Sequence, residues 1–351
     1  MAAVVQPLVR AIGIASNGAL NPVLSGSALA FITYGPPHLV SKITDLDFIR
    51  RWVDIVGLKT VLKILLTIGV GKFLNRFQNR RATNGWKFFG SGKWDWPQEI
   101  AVVTGGCNGI GKAIVLGLVR KGIRVAILDV ADQDPELQRI GTVSYWKCDI
   151  CSPSAVAEAA DSIRKTIGHP TILINNAGIA NSSPIIHLSS EKLSKIFGVN
   201  LLSLWYTARE FLPNMILKDK GHIVTIASMA SYISLTTAVD YSASKAGALA
   251  FYEGLSSELK HIYKAPGVMN TVAHPMWVET NMTKSHQESI ERSNGGRMMK
   301  PEDVANVVVN QILSRRGAQL IIPPTFSWLS GVRGFPNWFQ EMIRDGIGKS
   351  V

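Results

Sequence analysis

The 351 residues predict a doubly wound α/β fold, a parallel sheet of about seven strands preceded by an apolar helical extension. Three observations carry that expectation. Short β-branched runs alternate with segments of helical period between residues 98 and 325. A glycine-rich turn, GGCNGIG at 105–111, joins the first run to the first helix. The run 222–227 then delivers Ser228 at a strand's carboxyl end, where open α/β sheets place their ligands.

The chain divides on composition into an extension and linker (1–97), a sheet domain (98–325) and an aromatic-rich tail (326–351). Net charge is +12, and residues 1–99 hold twelve Lys/Arg against five Asp/Glu. A basic, apolar extension suits an anionic membrane surface, and no nucleic-acid-binding module accompanies the charge. Residues 11–34 carry no charge, and a helix of that length would reach roughly 36 Å, enough to cross a bilayer. Pro22 near its middle marks, alternatively, the bend of a hairpin in one leaflet. No basic n-region with a compact leucine-rich core follows the start, which argues against a cleaved signal peptide. Residues 52–74 place Lys59, Lys63 and Thr67 on one face and apolar side chains on the others. Such a helix either lies in a membrane interface with its lysines snorkelling or packs on the sheet domain. Arg76, Arg80 and Arg81 follow, and the Gly/Trp-rich stretch 90–97 reads as the linker. The three cysteines, Cys107, Cys148 and Cys151, have no disulfide framework, and the C-x-x-C lacks the partners of a zinc site, so no metal is expected.

Within the sheet domain, strand 100–104 leads into the glycine turn, whose backbone N–H groups and helix N-terminus suit a pyrophosphate. Strand 124–129 ends in Asp129, about 20 residues beyond the turn, where a carboxylate accepts from ribose hydroxyls and repels a 2′-phosphate. The plainer reading is that Asp129 caps the next turn. Strand 143–147 precedes Asp149, strand 171–174 runs into NNAG at 175–178, and a long helix at 190–215 carries Asn200. Tyr241 follows Ser228 by thirteen residues, and Lys245 sits one helical turn on, on the same face. A lysine ammonium there would lower the phenol's pKa and tune it as a general acid/base.

TGGCNGIG, Asp129, Asp149, NNAG, Asn200, Ser228 and Tyr241-Ser-Ala-Ser-Lys245 together resemble the short-chain dehydrogenase/reductase family, a Rossmann fold, over residues 98–325. The resemblance implies catalytic roles for Asn200, Ser228, Tyr241 and Lys245. Tyr241 would be the acid/base, Lys245 its tuner and a ligand of the nicotinamide ribose, Ser228 the orienter of the reacting oxygen and Asn200 the holder of a relay water. It implies cofactor contacts from Gly105, Asn108, Gly109, Ile110 and Gly111 at the pyrophosphate. Asp129 would meet the ribose, Asp149 and Ile150 the adenine, and Asn176 and Ala177 the sheet centre. Tyr241 and Lys245 join them at the nicotinamide, with Val278 and Thr280 at the carboxamide. NAD is the expected cofactor, with NADP disfavoured by Asp129.

One departure stands out: Met276 follows Pro275 where the family usually shows glycine, and with Trp277 it makes the nicotinamide side bulkier. His274 reads as a structural loop residue. The extension resembles the membrane-attached branch that includes retinol and hydroxysteroid dehydrogenases. That likeness implies a lipophilic alcohol or carbonyl substrate, a membrane or lipid-droplet surface as partner, and residence at the endoplasmic reticulum or droplet with the catalytic domain in the cytosol. The family often forms homodimers through its two long helices. Residues 281–300 read as a polar lid, and the tail (Trp328, Phe335, Trp338, Phe339, Met342) either packs on the core or meets lipid near the pocket mouth. Asn181 and Asn281 match the glycosylation pattern, but in a cytosolic domain they would stay bare. An NADPH-dependent lipid ketoreductase and a non-catalytic droplet scaffold are the competing functions.

Overall fold

The computed structural model describes residues 18–44, 55–284, 287–288, 290 and 298–348. The contacts divide the chain into two compact units, 3–82 and 83–351.

In the first unit, α1 (Pro22–Tyr34) and α2 (Pro37–Thr44) precede the long α3 (Ile55–Thr83). Pro22 stands where the chain breaks between a short helical turn at 18–20 and α1. It starts α1, where its missing N–H costs nothing, and the Asn21 side chain accepts from Val23 N at 2.9 Å and from Leu24 N. At 13 residues α1 spans only about 20 Å, short of the roughly 30 Å of a bilayer core. Residues 11–17 of the uncharged stretch lie outside the described residues. No described helix is long and apolar enough to cross a membrane. The α3 helix instead exposes Val56, Val61, Ile64, Ile68, Phe73 and Leu74 along with Lys63, while Lys59 and Lys72 are half-buried. At Gly69, a Cβ would stand 2.6 Å from the Leu20 carbonyl oxygen, so only glycine permits that close approach.

The second unit is a seven-stranded sheet in the order β3-β2-β1-β4-β5-β6-β7, every neighbouring pair parallel. The strands are β1 (Ile100–Thr104), β2 (Arg124–Asp129), β3 (Val143–Lys147), β4 (Ile172–Asn175), β5 (Gly221–Ile226), β6 (Val268–Pro275) and β7 (Ala318–Ile322). Strand order reverses between β1 and β4, which opens a crevice at their carboxyl ends. The helices are α4 (Gly109–Val119), the short α5 (Pro135–Gln138), α6 (Pro153–Thr166), α7 (Ser190–Phe197), α8 (Ser203–Leu217), α9 (Val239–His261), α10 (Pro301–Ser314) and the terminal α11 (Asn337–Gly348).

Both faces of the sheet are covered, as unbroken apolar strands require. Val102, Leu173, Ile223 and Val272 point into one core with α6, α8 and α9; Ala101, Val103, Ile174 and Val224 point into the other with α4 and α10. Residues 83–97, which include the stretch 90–97 expected as a linker, are bound into this unit. Asn84 Oδ1 accepts from Gly317 N at 3.0 Å, and Ser91 N donates to Arg315 O at 2.9 Å. Lys220 forms an ion pair with the buried Glu99 at 2.6 Å and lies over the Trp94 ring. Trp94 and Trp96 pack against the α4 side of the core, which gives this stretch apolar contacts that its composition does not advertise.

Candidate active site

The glycine turn leaves β1 beneath the β4 end. Gly105 (φ +64°) and Gly109 (φ +53°) adopt the left-handed region, and at Gly111 a Cβ would overlap the Gly105 carbonyl oxygen. Asn176 locks the turn: its Nδ2 donates to both Thr104 O and Gly105 O at 3.0 Å. Thr104 Oγ1 accepts from the backbone N–H of Asn176 (3.0 Å) and of Ala177 (3.1 Å). The Asn176 side chain is therefore a brace between β1 and β4.

Asp129 caps the next turn, the plainer of its two readings, and braces the glycine turn as well. Its Oδ1 caps the following turn at Ala131 N (3.0 Å), while Oδ2 accepts from Cys107 N in the glycine turn (2.9 Å). Each carboxylate oxygen keeps a second lone pair for a diol. Two neighbouring cations are already paired, Lys112 with Asp134 and Glu136, and Lys147 with Asp132. Asp149 is exposed and accepts from Cys151 N (2.9 Å), beside the buried Ile150. Asn108 is exposed and Ile110 half-buried at the start of α4. Val278 is buried and bridged to Met299; a Cβ on Gly109 would come 3.2 Å from the Thr280 methyl, so Thr280 sits directly over the turn. Of the segment 281–300, residues 285–286, 289 and 291–297 lie outside the described residues.

Ser228, Tyr241, Lys245 and Asn200 converge at the carboxyl edge of β4 and β5. Ser228 caps a 3₁₀ turn, Met229–Ser231, its Oγ accepting from Ala230 N (3.1 Å). Lys245 is buried, and its Nζ donates to Ile226 O at 2.8 Å. A Cβ on Gly178 would stand 3.4 Å from both Lys245 Nζ and Asn200 Oδ1, so both groups face this glycine.

The electrostatics differ from the expectation that the ammonium governs the phenol. Burial pushes the Tyr241 phenol above its ordinary value, and the hydrogen bond from Ser228 is what pulls it back down. Burial lowers Lys245 to about 8. Its Nζ is 5.8 Å from the Tyr241 ring centroid and is engaged by the Ile226 carbonyl.

Asn200 lies in a π-helical turn, Gly198–Leu202, between α7 and α8. Its amide is spent on protein: Oδ1 accepts from Ile179 N (2.9 Å), and Nδ2 donates to Ile179 O (2.9 Å) and to Ser244 Oγ (3.0 Å). Ser244 in turn donates to Tyr241 O, so Asn200 holds the helical turn that carries both Tyr241 and Lys245. A relay water therefore has no N–H of this amide left to bind.

The residues that sequence reasoning passed over are Ser244, Asp240 and the group around His274. Asp240, buried beside Tyr241, accepts from Asn181 Nδ2 (2.8 Å), which ties down one of the two glycosylation matches. Met276 also finds its reason. Its N–H extends the β6–β7 ladder to Ile322 O (2.8 Å), and its side chain joins Tyr232, Ile233, Leu329, Val332 and Ile343 in a satellite core under the tail. The tail thus packs through Leu329, Val332 and Ile343 while Trp328, Phe335, Trp338 and Met342 stay exposed. Among the described residues no three His, Cys, Asp or Glu side chains group to hold a metal ion. Burial raises Cys107 to about 12 and Cys148 and Cys151 to about 11, which leaves all three thiols unreactive near neutrality.

A family model described as short chain dehydrogenase matches residues 99–291. Dehydrogenase RED2 of Cochliobolus heterostrophus is 44% identical over 185 residues, 53% of this chain and 70% of that protein. Estradiol 17-beta-dehydrogenase 11 of Homo sapiens is 28% identical over 256 residues, 71% of this chain and 83% of that protein. Among solved structures, a short chain dehydrogenase/reductase of Burkholderia phymatum in complex with NAD superposes with a TM-score of 0.61 at 22% identity, over 72% of this chain and 97% of that one, which speaks to the fold alone. With the glycine turn, the switch point and the Ser228–Tyr241–Lys245 edge in place, the chain belongs to the short-chain dehydrogenase family of oxidoreductases.

Proposed function

We propose that this oxidoreductase interconverts an alcohol and a carbonyl on a lipophilic substrate of the retinoid, steroid or long-chain alcohol class, with NAD(H) preferred over NADP(H). One observation carries the reading: Ser228 and Tyr241 meet at the sheet's carboxyl edge, where the serine lowers the phenol, with the buried Lys245 one turn away and the glycine turn at the same end of the sheet.

The residues fit a dinucleotide. The turn and the N-terminus of α4 suit a pyrophosphate, and Asp129 offers lone pairs to a ribose diol while its charge disfavours a 2′-phosphate. When bound, a nicotinamide supplies the hydride acceptor or donor. The chain's own residues handle the proton. Ser228 Oγ–H donates to the substrate oxygen and Tyr241 Oη takes or gives the proton. Lys245 holds positive charge beside them while it remains protonated, below about pH 8. Because burial raises the phenol, Tyr241 is protonated at neutrality and ready to act as the acid in carbonyl reduction. Alcohol oxidation, which needs the phenolate, gains as pH rises.

An open groove of about 660 Å³ supports the lipophilic class. Pro184, Ile185, Ile186, Leu235 and Val239 line it together with Ser234, Thr236, Thr237, Arg344 and Asp345, two residues along the chain from Tyr241 at its nearest. The name of the estradiol dehydrogenase relative points the same way. The apolar, lysine-bearing surface of α3 and the exposed tail aromatics support attachment to an endoplasmic reticulum or droplet surface, with the catalytic unit toward the cytosol.

The test is a screen of the full chain in detergent with both cofactors against retinoids, sterols and long-chain alcohols, read at the NADH absorbance band. Tyr241→Phe should lower kcat by about 10²–10⁴-fold and leave the cofactor Kd unchanged. A wild type inactive on the whole panel and matched by Tyr241→Phe would count decisively against the proposal.

A further inference from the structure

His274 is buried on β6 with both ring nitrogens engaged, and neither bond belongs to the sheet. Its Nδ1 lies 3.0 Å from Ser228 O and its Nε2 lies 3.1 Å from the hydroxyl of Tyr232. Gln319 on β7 donates to that same hydroxyl. Arg333, from the tail, closes the group by donating to Ser231 O (3.1 Å) and Tyr232 O (3.2 Å), on the turn that Ser228 caps.

The direction of each bond follows from chemistry. A carbonyl oxygen only accepts, so Nδ1 must carry the proton. Burial holds the ring neutral, with its pKa lowered to about 4, so Nε2 has none and accepts from Tyr232 O–H. Tyr232 oxygen is then free to accept from the Gln319 amide. All three donors point along one line from β7 to Ser228. The Ser228 carbonyl takes two restraints, from His274 Nδ1 and from Ser231 N (3.0 Å), and its hydroxyl is the group that lowers the Tyr241 phenol.

We infer that His274 is a positioning residue, the neutral imidazole that fixes the Ser228 carbonyl and thereby aims the Ser228 hydroxyl at Tyr241, with Tyr232, Gln319 and Arg333 fixing its tautomer and the turn behind it. The inference rests on the reading of Ser228 and Tyr241 as the reacting pair. It also gives the tail a part in the chemistry, since Arg333 and the satellite core hold the turn from behind.

Two substitutions separate the two ends of the ring. In Asn the side-chain NH₂ sits near the place of Nδ1, so His274→Asn keeps the donor to Ser228 O. In Gln the amide sits near the place of Nε2, so His274→Gln keeps the Tyr232 contact and loses the Ser228 one. Misplacement of a reacting group by about 1 Å costs on the order of 100-fold. Accordingly, His274→Gln should lose about 10–100-fold in kcat with the cofactor Kd unchanged, and His274→Asn should restore turnover to within about 3-fold of wild type. A readout independent of turnover accompanies this: the phenolate difference spectrum of each variant against its Tyr241→Phe double. Because the Ser228 bond holds the Tyr241 phenol down, its titration should move to higher pH in His274→Gln and stay in place in His274→Asn. Equal losses in both variants, in step with Tm and without a phenol shift, would overturn the inference. If the wild type turns over no alcohol yet the phenol shifts as stated, the positioning role stands and the proposed activity falls.

Discussion

The two halves of the cleft are built by different means. The nucleotide side, from β1 to β4, is held by backbone. Gly105, Gly109 and Gly111 occupy positions that other residues cannot, and Asn176 and Thr104 tie loop N–H and C=O groups to each other. The substrate side, from β5 to the tail, is held by side chains meeting across long stretches of chain. Examples are His274 to Ser228, Arg333 to Ser231 and Met276 to Leu329. Backbone constraints restrict residue type within a few positions and so leave a local motif. Side-chain meetings at long range leave none.

The largest expected effect tests the first half of that contrast. Gly111→Ala puts a Cβ into the Gly105 carbonyl and 2.5 Å from Asn176 Nδ2, with backbone on one side and a brace on the other. Overpacking of this kind costs about 3 kcal/mol or more, which for a chain this size lowers Tm by roughly 6–12 °C. Gly254 in α9 is the control: a Cβ there meets nothing within 4 Å. Gly254→Ala should stabilise by about 0.5–1 kcal/mol through helix propensity alone. Thermal melts of the two variants with opposite signs are the expected result.

The next effect belongs to the substrate half. His222, whose Nε2 pairs with Thr271, and His274 are buried and neutral, with pKa values lowered by desolvation to about 3 and about 4. In the unfolded chain both return to about 6.5. Above that pH neither state takes up the proton, and their contribution is constant. As pH falls from about 6.5 toward 4, only the unfolded chain is protonated, and stability drops by roughly 1 kcal/mol per pH unit for each histidine. Urea melts between pH 7 and 4.5 measure this slope, and His222→Gln should remove about half of it.

Asp129 lies on the border between the two modes, since its carboxylate braces the glycine turn and offers lone pairs to a ligand. Charged hydrogen bonds contribute about 1.5–3 kcal/mol, so Asp129→Ser should narrow the NADH-over-NADPH preference by about 10–100-fold. Competitive titration of both dinucleotides reads it.

What was legible in the sequence follows the same division. The sheet, the glycine turn, Asp129 and the Ser228–Tyr241–Lys245 spacing are all local patterns, and the structure brings those residues to one edge. The direction of the phenol's shift was not legible. Helical spacing places Lys245 on the face of Tyr241, but the Ile226 carbonyl that takes up the ammonium comes from another strand. Pro22 was ambiguous because proline serves both a bend and a first helical position; Asn21 before it is the cap that starts the helix after the break. Met276 looked like an intrusion into the cofactor loop because the satellite core it enters is assembled from residues far along the chain, among them Leu329 and Ile343.

The smallest effect sharpens the comparison most finely, because it asks whether the groove lined by Ile185, Ile186 and Val239 does what its side chains suggest. Ile186 is 86% exposed, so it contributes little to the fold, and Ile186→Ser should leave Tm within the scatter of surface substitutions. A lipophilic substrate seated in the groove would cover it. Full burial of an isoleucine gives about 1.5–3 kcal/mol, and a side chain covered on one face gives about a third of that, or a rise of about 2–5-fold in KM. Because the contact is the same in the bound substrate and at the transition state, kcat should hold steady while KM moves. The cofactor Kd should not change, since Ile186 faces the groove and not the glycine turn. A short alcohol that cannot reach Ile186 should show no difference between variant and wild type. A long or polycyclic one should show the full rise, and an equal response to both would mean that the apolar body of the substrate lies elsewhere.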